Sequence, residues 1–263
     1  MNRGDRVDFS VYNEASLFGA ASGNLAGRSA QDVFDMIESG GVRLAQAVAG
    51  GLVLPLGLWQ DDSFNARVLL GDLNEREAEE WVVRAQGWLS IPDGRLAVGG
   101  GWAVVERLAV PNEDYWKDFY KVTDVPPGDY RVEVLGYLPG TALYPFKEAA
   151  QNGEPLGTWF RRTRSGEKFP DWLASWIMDD VEETDPGHTD FWAKQGADFE
   201  GQSWEELNER RQKGYVEYLF RLEPLSGDPP QTQMSEDGFC LAWEVRKPER
   251  CPLGVPSTAN NGG

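Results

Sequence analysis

Short stretches of alternating apolar and polar residues, each closed by a Gly, Pro or Asp turn, constrain this chain more than any other feature. Residues 125–140, VPPGDYRVEVLGYLPG, show the pattern most clearly. A Pro-Pro-Gly-Asp turn feeds a run in which Tyr130, Val132 and Val134 face one way while Arg131 and Glu133 face the other, the period of a half-buried strand. Residues 7–12 (VDFSVY) and 64–73 (FNARVLLGDL) alternate in the same manner, and a buried strand is expected within 52–59. WLSI and RLAV flank Pro92-Asp93-Gly94, which predicts a hairpin, because Pro sets φ and Asp and Gly accept a tight backbone. Residues 102–109 (WAVVERLA), 215–222 (YVEYLFRL) and 239–245 (FCLAWEV) read as further strands.

Helical signals are fewer and shorter. Ser29 stands where it can cap a helix that presents Val33, Phe34 and Ile37 and stops at Gly40-Gly41. Asn74-Glu75-Arg76-Glu77 resembles a capping box, and behind it Ala78, Trp81, Val82 and Ala85 fall at helical spacing up to Gly87. No strand-helix alternation of the kind a parallel sheet needs is evident. The expected fold is therefore mainly β, an antiparallel β-sandwich with a few short helices and a helical or irregular C-terminal elaboration. Residues 1–140 are expected to form the sandwich core. Residues 141–251 would be an acidic, aromatic-rich elaboration whose strands 215–222 and 239–245 return to the same sheets, and residues 252–263 a disordered tail.

A chain of 263 residues, 41% hydrophobic and with 11 Trp, has ample material for a core. Its longest apolar run, residues 44–59, is shorter than a bilayer span, contains Gln46 and is broken by Gly50, Gly51 and Pro55, so it reads as core. The opening MNRGDRVDFS has no apolar h-region, which leads to the expectation of no secretory signal and a cytoplasmic location. Two cysteines, Cys240 and Cys251, fit no zinc or redox spacing and read as unrelated thiols.

Chemistry is hard to place. The one histidine, His188, lies in a loop-like Pro-Gly-His sequence, and neither cysteine sits in a nucleophile setting. No phosphate-cradling or dinucleotide motif appears. The basic patch Arg161, Arg162, Arg164 and Lys168 reads as a salt-bridged hinge against the acidic segment. No catalytic residue, metal site or cofactor is assigned. Carboxylate pairs are abundant, which keeps a carboxylate-dependent hydrolase as an alternative and a structural scaffolding module as another.

Charge carries more information. The chain holds 43 Asp plus Glu against 25 Lys plus Arg, a net of −18. Such a surface repels phosphate backbones and anionic lipid, which disfavours direct nucleic-acid or membrane binding and admits a basic protein partner. Residues 179–209 concentrate the effect, with eleven acids and one base, Lys194, interleaved with Phe191, Trp192, Phe199 and Trp204. Spaced carboxylates can imitate a phosphate backbone, and aromatics among them can fill pockets at an interface. The same segment also reads as a solvated helix-loop-helix whose aromatics pack on their own sheet. The candidate partner-binding residues are Asp179, Asp180, Glu182, Glu183, Asp185, Asp190, Trp192, Asp198, Glu200, Trp204, Glu205 and Glu206.

Residues 7–140 resemble the competence protein J family, small bacterial inhibitors of a DNA-entry nuclease. The residues that carry the resemblance are VDFSVY, the apolar stretch leading to FNARVLLGDL, the segment VVRAQGWLSIPDGRLAV and, most closely, VPPGDYRVEVLGYLPG. The resemblance implies a β-sandwich and inhibition of a nuclease by protein binding. Residues 141–263 extend beyond it, so the site residues named above rest on charge alone. Together these readings predict a cytosolic, non-enzymatic binding protein that neutralises a basic partner by occlusion, an immunity or inhibitor protein of a nuclease toxin being the favoured form.

Overall fold

The structure, a computed structural model, describes residues 1–13, 17–38, 41–58, 62–109, 113–150, 154–180 and 202–258. Among them strand and helix are nearly balanced at 33% and 32%, several sheets with short helices, so the expected β-rich fold with helices holds in part and the helical share is larger than the sequence suggested. Two sheets dominate. The larger runs β1 (Arg6–Tyr12), β4 (Ser63–Leu70), β10 (Tyr218–Pro224), β8 (Gly128–Tyr137), β5 (Trp81–Ile91) and β11 (Glu244–Val245), in that spatial order. The smaller runs β3 (Val53–Gly57), β2 (Leu17–Ser22), β6 (Arg95–Gly100) and β7 (Tyr120–Asp124). Every pairing in these two sheets is antiparallel except that of β10 with β4, whose register sets Tyr218 opposite Ala66 and Leu222 opposite Leu70.

Side chains from both sheets meet in one core. Phe18 of β2 lies 4.6 Å, centroid to centroid, from Phe64 of β4 and 5.6 Å from Phe220 of β10, and Phe64 lies 5.4 Å from Tyr218. All four rings are fully buried, each contributing roughly 1.5–3 kcal/mol through removal from water. The alternation read in residues 128–137 holds: Tyr130, Val132 and Val134 are buried, Arg131 is exposed and Glu133 half-buried.

Pro92-Asp93-Gly94 does form a turn, with the Gly94 amide donating to Ile91 O, but the predicted hairpin does not follow. The arms part into different sheets, since β5 is already paired on both edges by β8 and β11, and β6 by β2 and β7. The turn is fastened sideways instead, as Ser22 Oγ donates to Asp93 Oδ1 and the Val125 amide to Gly94 O. Residues 102–109 are also not a strand. Val105 and Glu106 amides return to Trp102 O and open helix α4 (Ala103–Ala109), where consecutive Ala103, Val104 and Val105 are all buried and tertiary packing overrides β propensity.

Further upstream, α1 (Ala30–Glu38) starts as expected, the Asp32 amide donating to Ser29 Oγ, and α2 (Gly41–Ala49) packs on it. The predicted helix through Ala85 is cut short. Asn74 and Glu77 form the capping box at 2.8 and 2.9 Å, but α3 (Glu75–Glu80) ends before Trp81, which with Val83 enters the ladder with β8 across a register shift at Val82. Residues 239–245 supply only the two-residue β11, with an isolated bridge joining Met234 and Leu241 ahead of it.

The second half is built into the first. β10 occupies the middle of the larger sheet, between β4 and β8, and β9 (Tyr215–Val216) pairs with β12 (Val255–Pro256). Residues 252–258, expected to be disordered, are therefore tied down as far as Thr258, whose amide and hydroxyl donate to Asp8 Oδ2 at 2.7 and 3.0 Å. Helices α5 (Glu113–Trp116), α6 (Leu143–Ala150), α7 (Leu156–Thr163), α8 (Asp171–Asp180) and α9 (Trp204–Gly214) complete the described body. Among the described residues no helix is long and apolar enough to cross a membrane.

Candidate functional site

Most of the predicted partner-binding residues, Glu182, Glu183, Asp185, Asp190, Trp192, Asp198 and Glu200, lie outside the described residues, as does His188. Asp179 and Asp180 close α8, and Trp204, Glu205 and Glu206 open α9. The structure thus describes the two helices from which the acidic segment departs and to which it returns.

That platform is held by a compact set of polar contacts. Arg211 of α9 lays its guanidinium 5.0 Å from the Trp176 ring of α8, donates to Pro139 O at 2.9 Å, and forks Asn208 Oδ1 at 3.0 and 2.9 Å. Ser175 Oγ also reaches Asn208 Oδ1, and Trp176 Nε1 reaches Pro139 O, both at 3.4 Å. Arg210 pairs with Asp171 across the helices at 3.6 Å. Between them opens a cleft of about 260 Å³ lined by Asp62, Trp176, Trp204, Asn208 and Arg211.

Local sequence explains the entry to α9. Ser203 Oγ accepts from the Glu206 amide while Glu206 Oε2 accepts from the Ser203 amide, a capping box that satisfies two helix-end donors. Glu206, singled out as a partner contact, thus has this second task, whereas Glu205 is exposed in the same first turn, where a carboxylate suits the helix dipole. Trp204 leaves 36% of its surface in water at the rim of the cleft.

Beneath the platform sits a carboxyl that sequence reasoning passed over. Glu217, between β9 and β10, is buried, its Oε2 accepts from the Asn65 amide at 2.8 Å, and Arg211 Nη1 stands 3.6 Å from its Oε1. Burial dominates over Arg211 and pushes the carboxyl up to about 8. The only sequence signal was its place between the apolar residues of YVEYLFRL.

A second buried charge cluster fastens the termini together. Arg67 of β4 forks Asp8 of β1 at 2.6 and 2.7 Å, reaches Glu77 at 2.9 Å and donates to Pro256 O at 2.9 Å, while Arg6 forks Glu77 at 2.8 Å. Burial pushes the Asp8 carboxyl up, but Arg67 and the donors of Thr258 more than offset it and leave the group below its ordinary value. Every charge here has a partner, which is what makes such burial tolerable.

The test of a carboxylate-pair enzyme is a cleft with an elevated carboxyl. Glu80, raised by burial against the opposing charge of Arg76, lies in a cleft of about 600 Å³ that also holds Glu75 and Glu79. Three arginines of that cleft are committed to the fold: Arg246 donates to Trp81 O and Ala78 O, Arg250 to Thr163 O, and Arg164 to Cys251 O. The basic patch likewise meets local partners, Arg162 pairing with Glu154 at 2.8 Å, Arg164 with Glu167 at 3.6 Å, and Arg161 stacking over Phe169. Most of the acidic segment, against which a salt-bridged hinge was expected, lies outside the described residues. No group of three or more metal-ligating side chains occurs among the described residues.

No protein-family model and no curated protein matches this chain. Two solved structures are similar to it. Crocagin biosynthetic gene J aligns over 86% of this chain and 100% of its own length with 13% identity and a TM-score of 0.41. ComJ from Bacillus subtilis, an inhibitor of the DNA-degrading activity of NucA, aligns over 52% of this chain and 86% of its own length with 9% identity and a TM-score of 0.33.

Proposed function

We propose that this protein is an acidic binding protein that neutralises a basic protein partner by occlusion. The observation that supports it most is the placement of the acid-rich stretch. Eleven carboxylates and one lysine fall within residues 179–209, and both ends of that stretch lie on α8 and α9, whose mutual packing supplies a firm base. Trp204, half-exposed at that base, is the residue type that most often anchors interfaces. The chain's net −18 would raise the encounter rate with a positively charged partner, and desolvated aromatics would slow its departure. Within this reading the favoured partner is a nuclease toxin, because carboxylates can fill a cleft meant for phosphate. The protein would then be an immunity or inhibitor protein and not an enzyme.

The test is direct. Basic polypeptides encoded in the neighbouring reading frames are mixed with the protein at low ionic strength and complex formation is followed by size-exclusion chromatography and stopped-flow fluorescence. A complex is expected whose association rate falls steeply as salt screens the field. A variant carrying Asn and Gln in place of the six acids between residues 182 and 200 should associate far more slowly. Absence of a complex with every such polypeptide ends the proposal.

A further inference from the structure

Phe239 sits at the tip of a turn that the fold holds with unusual care. The Ser235 amide donates to Cys240 O at 2.8 Å and the Gly238 amide to Ser235 O at 2.9 Å. Ser235 Oγ lies 2.5 Å from Asp237 Oδ1 and 3.0 Å from Cys240 O, and accepts from the Cys240 amide at 3.2 Å. Asp237 Oδ1 also accepts from the Phe239 amide at 3.0 Å. Gly238 has φ +74°, a conformation other residues adopt only with strain, so the sequence Ser-Glu-Asp-Gly-Phe-Cys is matched to this one shape. The base of the turn is fixed as well, because the Leu241 amide donates to Pro55 O on the outer side of β3 and Trp243 Nε1 to Gly57 O.

All this order presents a phenylalanine that is 53% exposed. Leaving half of such a ring in water forgoes the stabilisation that burial gives the other core aromatics, and a polar residue would serve a purely structural turn equally well. Its neighbours Glu236 and Asp237 are exposed, and the Phe239 amide and Ser235 hydroxyl hold the Asp237 carboxyl below its ordinary value, so the ring stands beside fixed negative charge.

We infer that the 235–240 turn is a preformed docking finger that inserts Phe239 into an apolar socket rimmed by lysine or arginine on the basic protein partner. This rests on the proposed function and adds a second contact, distinct from the acidic stretch. A second copy of this chain is the weaker occupant, because two bodies each carrying −18 repel and the finger brings Glu236 and Asp237 forward first. A rigid aromatic loses little entropy on binding, which is why such tips become interface hot spots.

The experiment uses the full chain and the basic polypeptide from the neighbouring reading frame as titrant in isothermal calorimetry. Phe239→Ala is expected to weaken binding by about tenfold or more with an unchanged Tm, Phe239→Tyr to stay within about threefold, and Ser235→Ala, which loosens the turn while keeping the ring, to fall between them. The acid-neutralised variant of residues 182–200 is run alongside. If that variant loses binding while Phe239→Ala binds like the parent, the finger is wrong and the acidic-segment reading stands. If Phe239→Ala dimerises less than the parent in sedimentation, the occupant is a second copy and the inference is equally overturned. If nothing binds, both proposals fail together.

Discussion

Glu217 offers the sharpest test of the physical reasoning about the platform. Its carboxyl has an ordinary value of 4.5 and is raised by burial to about 8 in the folded protein. Between these two values the folded chain holds a proton that the unfolded chain has released, so stability falls as pH rises through that window. Below 4.5 both states are protonated and the cost is absent; above 8 both are ionised and the cost is complete. Its size follows from 1.36 kcal/mol per tenfold change in proton affinity, giving about 5 kcal/mol. Glu217→Gln keeps an oxygen able to accept from the Asn65 amide and cannot ionise. Urea denaturation of both proteins at pH 5, 6, 7 and 8 isolates this one group, because the other titrations cancel in the difference. The two are expected to lie close at pH 5, and the variant to gain steadily towards pH 8, by a few kcal/mol. A difference that stays flat across the series would refute the assignment of a proton to Glu217 at neutral pH.

Three further outcomes test the packing. Arg67→Met leaves Asp8 and part of Glu77 buried without their counter-charge and should cost about 3–5 kcal/mol in urea denaturation, whereas the double variant with Asp8→Asn should recover part of that loss. Removal of residues 257–263 strips the Thr258 donors from Asp8 and should lower stability by about 1–3 kcal/mol; an unchanged urea midpoint would mean the terminal strap adds nothing. Gly140→Ala would place a Cβ 2.4 Å from Glu217 Cβ and should cost about 1–3 kcal/mol by the same assay, with no loss if that contact relaxes freely.

Alternation around Tyr130, Val132 and Val134, the Ser29 cap and the Asn74–Glu77 capping box could all be read directly from the sequence, because each depends on residues within a few positions of one another. The acid concentration in residues 179–209 was legible for the same reason. Partner choice was not. Pro92-Asp93-Gly94 announces a turn, but only the competition of β8, β11, β2 and β7 for its arms decides that they separate into two sheets. Trp81 and Ala85, four positions apart, fit helical and strand spacing equally until the ladder with β8 settles them as strand. Tertiary structure alone brought Arg211 of α9 against Pro139 and Glu217, and set the base of the Phe239 turn on β3 through Leu241 and Trp243. Local sequence sets what a segment can become, through backbone sterics and short-range hydrogen bonds. The long-range pairing of strands and the burial of charge choose among those forms, because their energies exist only once distant segments have met.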